Sequence, residues 1–365
     1  MSRRGTVLVM AGGTGGHVFP ALAVAERLRD EQVEVVWMGT PHGLESRVVP
    51  EAGFPLEAVE VQGLRGTGIR RLIAAPFVLL KALLRSIAIL RKVRPDAVLG
   101  LGGFVTGPGG VAARLMGKPL LVHEQNAIAG LTNRLLSRIA TRLMQAFPGS
   151  FPVSRKPIHT GNPVRADIAA LEAPNVRMAE HTGPVRLLVL GGSLGAQALN
   201  EQLPAALALL NESERPVVRH QAGGGKHEEA KQAYQSAGVD AEVLPFIADM
   251  AGAYGWADLV ICRAGALTVA ELAAAGVASI LVPFPYAVDD HQSANARYLS
   301  DAGAALLLQQ RDIEPEMFAE MVRGLISDRA RLVEMANMAR ARAMPDATSV
   351  VATECLQFCR TGDAA

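Results

Sequence analysis

Short apolar runs alternate with longer stretches of helical periodicity along almost the whole chain. Apolar runs that end in Gly or polar residues are typical of buried strands, and the periodic stretches between them favour crossover helices. This alternation predicts an α/β protein with parallel sheets covered by helices. The predicted strands cover residues 6–11, 33–38, 56–61, 97–101, 120–123, 142–145, 186–190, 217–221, 241–245, 259–262, 279–282 and 304–308.

The pattern begins twice, because VLVMAGGTGG at 7–16 is echoed by RLLVLGGSLGA at 186–196. Residues 159–184 between them are rich in Pro, Gly and polar residues without a sustained period, which predicts a linker. A chain of 365 residues is also long for one core. We therefore expect two doubly wound parallel-sheet domains facing a cleft, at 1–165 and 166–345. A last helix, near 346–365, could pack onto either domain.

Residues 69–94 differ from the other helical stretches because they are more apolar than one buried face requires, and basic residues surround them. A long helix packed on the sheet and kinked before Pro76 is one explanation. An interfacial membrane patch is the other, in which apolar side chains enter the headgroup region and cations meet anionic lipid. The basic charge of this half favours the patch, with Ile73, Phe77, Leu79 and Leu80 as its candidates.

The net charge of +1 hides an uneven distribution. Residues 1–165 hold 21 Lys and Arg against 10 Asp and Glu, and residues 166–365 hold 15 against 25. A basic half indicates an anionic partner, but arginines without interleaved aromatics do not indicate nucleic acid. The three cysteines lack metal-ligand spacing, which favours a reduced, cytosolic compartment. An apolar run of the roughly 18 residues that span a bilayer is missing, so an integral membrane protein is not expected.

The stretch CRAGALTVAELAAAG at 262–276 predicts a binding turn, although the pattern alone does not identify its ligand. Residues 259–262 end a buried strand, Gly265 breaks it, and a helix is expected to start at 266–268. A strand that leads into a Gly-marked turn and a helix N-terminus is the usual geometry of a nucleotide site. Glu271 lies on the first turns of that helix, about where a bound sugar would lie.

The loop GGTGGHVFP at 12–20 follows the first strand and can bring backbone N–H groups close to a diphosphate. It lacks the Gly-Lys-Ser/Thr ending of a P-loop, and Val18 stands where the dinucleotide fingerprint needs Gly or Ala. An NAD-dependent oxidoreductase is therefore disfavoured. His17 ends the loop, and two interpretations stay open: a hydrogen bond within the loop, or a general base for a hydroxyl.

Three further segments carry candidate polar groups. The turn Gly191-Gly192-Ser193 can bind a phosphate as the first loop does. The segment HEQN at 123–126 follows a predicted strand, and four polar residues there are not expected in the core, although some can cap the next helix. Arg165 could reach a diphosphate. The sequence contains no Asp-x-Asp, so neither a metal nor another cofactor is expected.

Together these motifs resemble the bacterial MurG family. The resemblance is carried, in order, by GGTGGHVFP, GGFVTGPGG at 102–110, HEQNAIAGLTNR at 123–134, GNPVR at 161–165, GGSLGA at 191–196, CRAGALTVAE at 262–271 and VPFPYAVDDHQSANA at 282–296. The family transfers GlcNAc from UDP-GlcNAc to undecaprenyl-pyrophosphoryl-muramyl-pentapeptide (lipid I), giving lipid II for peptidoglycan synthesis. The resemblance implies a GT-B fold of two Rossmann-like domains, with the acceptor on 1–165 and the donor on 166–345. It also implies that the C-terminal helix packs back on the first domain.

The resemblance further implies which residues contact UDP-GlcNAc, with Glu271 on the ribose hydroxyls. These are Thr14, Gly15, Gly16, Asn126, Arg165, Ser193, Ile247, Ala266, Leu267, Thr268, Val269, Ala270, Glu271 and Gln292. Ala264 and Ala270 stand where serine is expected in many relatives, and either could cost a hydrogen bond. The implied location is peripheral, on the anionic surface of the cytoplasmic face of the bacterial inner membrane.

The implied reaction is an inverting single displacement, in which a base deprotonates the acceptor 4-hydroxyl and UDP leaves. The glycine turns and Arg165 would stabilise the diphosphate charge. His17 is the expected base, and an acidic neighbour is the alternative. Two other functions stay open: a related GT-B enzyme with another UDP-sugar or lipid acceptor, and a nucleotide-binding regulator without turnover.

Overall fold

A computed structural model describes residues 4–61, 69–192 and 195–359, of which 69–75 and 288 are described for the backbone alone. The chain divides into two compact units, Met1–Arg165 with Met344–Ala365, and Ala166–Ala343. Each unit contains its own parallel sheet with helices packed around it. The predicted α/β fold class is confirmed.

The sheet of the first unit is doubly wound. Its strands are β1 (Thr6–Ala11), β2 (Glu34–Gly39), β3 (Leu56–Ala58), β4 (Ala97–Gly102), β5 (Leu120–Glu124), β6 (Arg142–Gln145) and β7 (Ile158–His159). Its helices are α1 (Gly15–Asp30), α2 (Glu45–Glu51), α3 (Ile69–Val93), α4 (Thr106–Leu115) and α5 (Leu131–Leu136). The strand order is β3-β2-β1-β4-β5-β6-β7. The order reverses between β1 and β4, and in such sheets the ligand crevice lies beyond the strand ends at that point.

The second unit repeats this plan. Its strands are β8 (Arg186–Leu190), β9 (Val217–Gln221), β10 (Ala241–Leu244), β11 (Leu259–Cys262), β12 (Ala278–Leu281) and β13 (Ala305–Leu307). Its helices are α6 (Ala166–Ala169), α7 (Pro174–Ala179), α8 (Gln197–Ala208), α9 (His227–Ser236), α10 (Met250–Trp256), α11 (Ala266–Ala275), α12 (His291–Ser300), α13 (Pro315–Ile326) and α14 (Arg329–Ala341). The strand order is β10-β9-β8-β11-β12-β13, which reverses between β8 and β11. The chain then returns to the first unit as α15 (Ala347–Leu356).

Both faces of the first sheet are covered, which explains why its strands are continuously apolar. Val7 and Val9 of β1 belong to one core cluster, which α15 joins through Val351. Leu8 and Met10 point to the other face and belong to a second cluster. Successive side chains of a strand point to opposite faces, so the apolar residues of one strand contribute to the cores on both sides of the sheet.

The prediction of a linker over 159–184 is wrong for part of its length. The segment contains the end of β7 and the helices α6 and α7. Arg177 of α7 is 8% exposed and donates hydrogen bonds to the carbonyl oxygens of Ala275 and Gly276, at 2.9 and 2.7 Å. Elements this short show no sequence period, and their side chains anchor them to partners about a hundred residues away.

The helix α3 is divided between a packed part and an exposed part. Ala82, Ile89 and Leu90 are at most 1% exposed, whereas Phe77 and Leu84 are 74% and 59% exposed. Among the described residues, no helix is long and apolar enough to cross a membrane.

Candidate functional site

Two glycine turns of the first unit lie against each other where its strand order reverses. The loop after β1 contains Gly12 and Gly13, and β4 ends at Gly102. A Cβ atom on Gly103 would lie 2.5 Å from the carbonyl oxygen of Gly12, which is closer than real Cβ contacts allow. Gly103 also has a φ of +88°, a conformation that favours glycine. The two turns therefore form one closely packed backbone surface at the carboxyl end of the sheet.

His17 lies on the first turn of α1, beside these turns, and is half-buried. Its Nδ1 is 3.3 Å from the carbonyl oxygen of Gly12. A carbonyl oxygen only accepts, so this contact requires the proton on Nδ1. The neutral ring then carries its lone pair on Nε2, which is the form a general base needs. The loop hydrogen bond and the general-base role are therefore compatible.

Thr14, Gly15 and Gly16, which the family resemblance implies as donor contacts, form the N-terminus of α1. Thr14 is the N-cap residue, and its carbonyl oxygen accepts from the His17 backbone N–H at 3.0 Å. The first N–H groups of a helix have no intrahelical partner and carry the positive end of the helix dipole. This end of α1 can therefore bind an anionic or strongly polar group.

Glu45 is a buried residue of this site that the sequence analysis did not single out. It begins α2, is 0% exposed, and its Oε2 accepts from the Gly13 backbone N–H at 3.0 Å. Its Oε1 accepts from the backbone N–H and the hydroxyl of Thr40, at 2.9 and 2.6 Å. The carboxylate thus joins the β1 loop to the residue that follows β2.

Three glycines make room for this carboxylate. A Cβ atom added to Gly12, Gly39 or Gly43 would lie 2.5, 2.7 or 2.2 Å, respectively, from the Glu45 side chain. Burial alone would raise the pKa of Glu45, but the hydrogen bonds from Thr40 and Gly13 outweigh it and hold that pKa below its ordinary value. Glu45 is therefore ionised at neutral pH. The spacing of Gly39, Gly43 and Glu45 was the available signal in the sequence.

The segment HEQN at the end of β5 is mostly buried, so the expectation that it lies outside the core is wrong for three of its residues. His123, Glu124 and Gln125 are 0%, 2% and 1% exposed. Glu124 accepts from the backbone N–H groups of Asn126 and Gly130 at 2.9 and 3.1 Å. Polar groups are tolerated in a core when they are paired in this way. Asn126, the predicted donor contact, is half-buried and donates to Glu124 Oε1 at 3.1 Å.

His123 uses both ring nitrogens inside the core. Its Nε2 donates to the carbonyl oxygen of Gly161 at 3.0 Å, and its Nδ1 accepts from the Gln125 amide at 3.1 Å. Burial lowers the pKa of His123 to about 4, although the bond to Gly161 opposes this effect. His123 is therefore a neutral structural residue that ties β5 to the segment GNPVR.

That segment contains two residues of interest. Arg165, predicted to reach a diphosphate, is half-buried at its end. Asn162 is 4% exposed, and neither polar atom of its side chain has a hydrogen-bond partner among the described residues. Buried amides are rarely left unpaired, so Asn162 is a candidate ligand contact that the letters did not reveal.

In the second unit, the predicted strand and helix around residue 265 are confirmed. β11 ends at Cys262, Gly265 is the N-cap residue of α11, and the helix begins at Ala266. Val269 is 0% exposed, so a ligand at this turn would meet its backbone rather than its side chain. The other predicted contacts on the first turns are half-buried or buried, namely Ala266, Leu267, Thr268 and Ala270.

Glu271 is 6% exposed and lies on the second turn of α11. Its Oε2 accepts from the Tyr254 hydroxyl at 3.1 Å. Burial and the neighbouring Glu271 raise the pKa of Cys262 to about 12, against an opposite effect of Arg263. The Cys262 thiol therefore stays protonated and belongs to the core.

The remaining predicted donor contacts have protein partners of their own. The backbone N–H of Ile247 donates to Gln221 Oε1 at 3.0 Å, and Gln292 Oε1 accepts from the Phe284 backbone N–H at 2.9 Å. Ser193 lies outside the described residues. Within the described part of the chain, no group of three or more His, Cys, Asp or Glu residues could hold a metal ion.

Comparisons with known families cover both units. The model of the glycosyltransferase family 28 N-terminal domain matches residues 7–145, and that of the family 28 C-terminal domain matches residues 186–351. The crystal structure of Acinetobacter baumannii MurG superposes with a TM-score of 0.85 at 46% identity, covering 97% of this chain and 99% of that one.

Two relatives carry the name UDP-N-acetylglucosamine–N-acetylmuramyl-(pentapeptide) pyrophosphoryl-undecaprenol N-acetylglucosamine transferase. The protein from Alkalilimnicola ehrlichii is 58% identical, covering 97% of this chain and 99% of its own length. The protein from Marinobacter nauticus is 55% identical, covering 98% of both chains. The chain therefore belongs to glycosyltransferase family 28, and within it to the MurG family.

Proposed function

We propose that the protein transfers N-acetylglucosamine from UDP-N-acetylglucosamine to the 4-hydroxyl of the muramyl sugar of lipid I, giving lipid II. One observation carries this proposal: relatives named for a transferase of this kind match the chain at 58% and 55% identity over nearly its whole length. The similarity extends over both units, so it includes the strand ends at which each sheet can bind a ligand.

In this proposal the second unit binds the donor. The N-terminus of α11 faces the turn after β11 and favours a negatively charged group. The Glu271 carboxylate accepts hydrogen bonds from the ribose hydroxyls. A carboxylate offers about four lone-pair sites, so these contacts are compatible with its hydrogen bond from Tyr254.

The first unit binds the acceptor and supplies the base. Nε2 of His17 takes the proton of the acceptor 4-hydroxyl while that oxygen attacks the anomeric carbon. The bond from the anomeric carbon to the diphosphate oxygen breaks, UDP leaves with the electron pair, and the configuration inverts. Arg165 and the helix N-termini at the glycine turns stabilise the charge that grows on the diphosphate.

A lipid-linked acceptor also requires contact with a membrane surface, and the exposed part of α3 supports this. Phe77, Leu79 and Leu80 are 74%, 42% and 53% exposed, so they are not core residues. Ile73, the fourth residue of the proposed patch, lies outside the described side chains. Exposed apolar side chains grouped on one helix favour a membrane or protein contact over a solvated face.

The neighbouring helix adds further exposed apolar residues to this unit. α4 packs beside α3, and Phe104, two residues before α4, and Leu115, its last residue, are 55% and 67% exposed. Lys81 of α3 is 73% exposed next to the apolar residues, where it forms an exposed ion pair with Glu60 at 2.9 Å that an anionic headgroup can replace. Such a combination suits the headgroup region of an anionic bilayer.

The transfer itself is tested by incubating the protein with UDP-GlcNAc and a soluble lipid I analogue. Release of UDP is expected only when both substrates are present. Faster turnover with another UDP-sugar would show that this sugar nucleotide is the donor, and the protein would still be a glycosyltransferase. Tight nucleotide binding without acceptor-dependent release of UDP would contradict the transfer and favour a nucleotide-binding regulator.

The membrane contact is tested by replacing Phe77, Leu79 and Leu80 with serine and measuring co-sedimentation with anionic vesicles. Burial of one large apolar side chain is worth about 1.5–3 kcal/mol, so vesicle binding is expected to fall by about tenfold or more. A matched control replaces Val176, Leu209 and Val217, which are 51%, 49% and 50% exposed on the second unit. Unchanged vesicle binding of the α3 variant, or an equal loss in the control, would contradict the patch.

A further inference from the structure

We propose that Glu45 is a positioning residue that fixes the tautomer of His17 through the peptide group between Gly12 and Gly13. The inference rests on the proposed role of His17 as the base and deepens it. Glu45 acts through the backbone, so it is not a catalytic residue itself.

The geometry that carries this inference lies in one peptide group. The Gly13 N–H donates to Glu45 Oε2 at 3.0 Å, and the Gly12 carbonyl oxygen lies 3.3 Å from His17 Nδ1. The N–H and C=O of a trans peptide point in opposite directions. The carboxylate and the imidazole therefore hold the same peptide plane from its two sides. A rotation that turned the carbonyl oxygen away from His17 would also break the bond to Glu45.

This peptide plane needs to be held because it joins two glycines. Glycine lacks the Cβ that restricts other residues, and Gly13 has a φ of +92°, where its backbone meets no side-chain penalty. Glu45 supplies the rigidity, because it is 0% exposed and its other oxygen is held by Thr40 through two hydrogen bonds. Glu45 is thus anchored in the core and restrains the glycine loop after β1.

The charge of Glu45 strengthens the same choice of tautomer. A hydrogen bond to an ionised acceptor is stronger than a neutral one, and linked hydrogen bonds polarise one another. The Gly12 carbonyl oxygen therefore becomes a better acceptor when Gly13 donates to a carboxylate. In the opposite tautomer, the Nδ1 lone pair would face that carbonyl oxygen. Glu45 thus favours a proton on Nδ1 and keeps the lone pair on Nε2.

The direct test is the ¹⁵N spectrum of protein labelled on its histidine rings, with His17→Ala used to identify the His17 signals. In the wild type we expect Nδ1 protonated and Nε2 unprotonated. In Glu45→Gln only one side-chain oxygen remains, and the two donors of Thr40 favour it over the single Gly13 N–H, which then faces the NH₂ group and loses its acceptor. The His17 signals should then move to those of a mixture of tautomers. Unchanged His17 signals in a folded Glu45→Gln protein would overturn the inference.

Two further variants keep the test decisive. If Glu45→Gln does not fold, Gly13→Ala turns the same peptide by strain at a positive φ while Glu45 stays in place, and a Cβ there meets no atom within 4 Å. It should shift the His17 signals in the same way, and unchanged signals would overturn the inference. Glu124→Gln is the matched control, because Glu124 is 2% exposed and also accepts backbone N–H groups, but of the β5 loop. An equal shift in this control would overturn the inference too.

Kinetics separate the positioning role from general damage to the site. Glu45→Gln should lower kcat by about tenfold, less than the about 100-fold or more expected for removal of the base, with KM for UDP-GlcNAc little changed. In the His17→Ala background the same substitution should cost nothing further, because both act through one group. An added tenfold loss there would overturn the inference. If His17→Ala itself kept normal turnover while the spectra behaved as expected, the base assignment would fail and the positioning by Glu45 would stand.

Discussion

Two loops at the carboxyl edge of the first sheet use the same residue types for different purposes. The loop after β1 combines His17 with the buried Glu45, and the loop after β5 combines His123 with the buried Glu124. Both carboxylates accept backbone N–H groups. His17, however, is half-buried on a helix N-terminus, whereas His123 is 0% exposed and uses both ring nitrogens inside the core.

The difference shows that a position at a strand end does not by itself give a histidine a chemical role. A general base works best when its pKa lies near the operating pH, and burial lowers the pKa of His123 to about 4. His123 also has no face on the surface where a substrate could lie. The loop after β1 leaves His17 such a face through its glycines, which bring the backbone close without covering the ring.

The largest expected effect is the loss of kcat in His17→Ala, and its absence would remove the difference between the two histidines. His17→Ala should lower kcat by about 100- to 10,000-fold, because a positioned general base contributes roughly that factor. KM for UDP-GlcNAc and the free energy of unfolding should change little, since the ring is half-buried. Steady-state kinetics at saturating acceptor measure this, and near-normal turnover would show that another group takes the proton.

The next effect concerns the stability that His123 provides. His123→Leu removes the ring's hydrogen bonds with the Gly161 carbonyl oxygen and the Gln125 amide, which keep only the Thr160 hydroxyl and the backbone carbonyl oxygen of residue 123 as partners. A lost hydrogen bond costs about 0.5–1.5 kcal/mol, so the free energy of unfolding should fall by about 2 kcal/mol. Denaturant titration measures it, with the exposed His159→Leu as a control that should change it by less than about 1 kcal/mol. Equal losses of unfolding free energy in the two variants would contradict a specific structural role for the buried His123.

An effect of similar size is the pH dependence that His123 contributes. Its pKa is about 4 in the folded protein and near its ordinary value of 6.5 in the unfolded chain. The unfolded chain therefore binds more protons between these values, and stability falls as pH is lowered through this window. From pH 7 to pH 5 the loss due to His123 is about 2 kcal/mol.

His123→Gln should accordingly lose about 2 kcal/mol less than the wild type when both are unfolded by denaturant at pH 7 and pH 5. His220 of the second unit, whose pKa burial also lowers to about 4, is present in both proteins and its contribution cancels. The same pH dependence in both proteins would mean that His123 is not buried as a neutral ring.

The smallest effect sharpens the comparison within the β5 loop. Asn126 is the half-buried member of HEQN, and the family resemblance implies that it contacts the donor. Asn126→Ala should raise KM for UDP-GlcNAc by about five- to tenfold, the worth of about one hydrogen bond, and leave kcat nearly unchanged. A loss in kcat with an unchanged KM would assign Asn126 to the chemical step instead.

Much of the fold was predictable because both sheets bury long apolar runs. The strand at Leu259–Cys262 and the helix that begins at Ala266 follow from four apolar letters and one glycine. The short β7, α6 and α7 were not predictable, because two to six residues show no period. These short elements are stabilised by contacts with residues far away in the sequence, such as the carbonyl oxygens to which Arg177 donates hydrogen bonds.

The candidate site was predictable only in part. His17 was found because it follows a glycine loop after a strand. Glu45 was missed because the glycines at 39 and 43, its one signal in the sequence, do not by themselves predict that a charged residue is fully buried there. His123 was expected outside the core because it is polar, and the Gly161 carbonyl oxygen that satisfies it lies 38 residues along the chain. Burial of a polar group depends on such long-range pairing, which letters in sequence order do not display.

The central claim is that, of these two histidines, His17 carries out the chemistry. The measurement that tests it most directly is the single-turnover rate of His17→Ala beside that of His123→Gln, with both substrates saturating and the folded fraction determined on the same samples. We predict that the rate per folded molecule falls at least about 100-fold in His17→Ala and less than about tenfold in His123→Gln. Equal rates in the two variants would contradict the account.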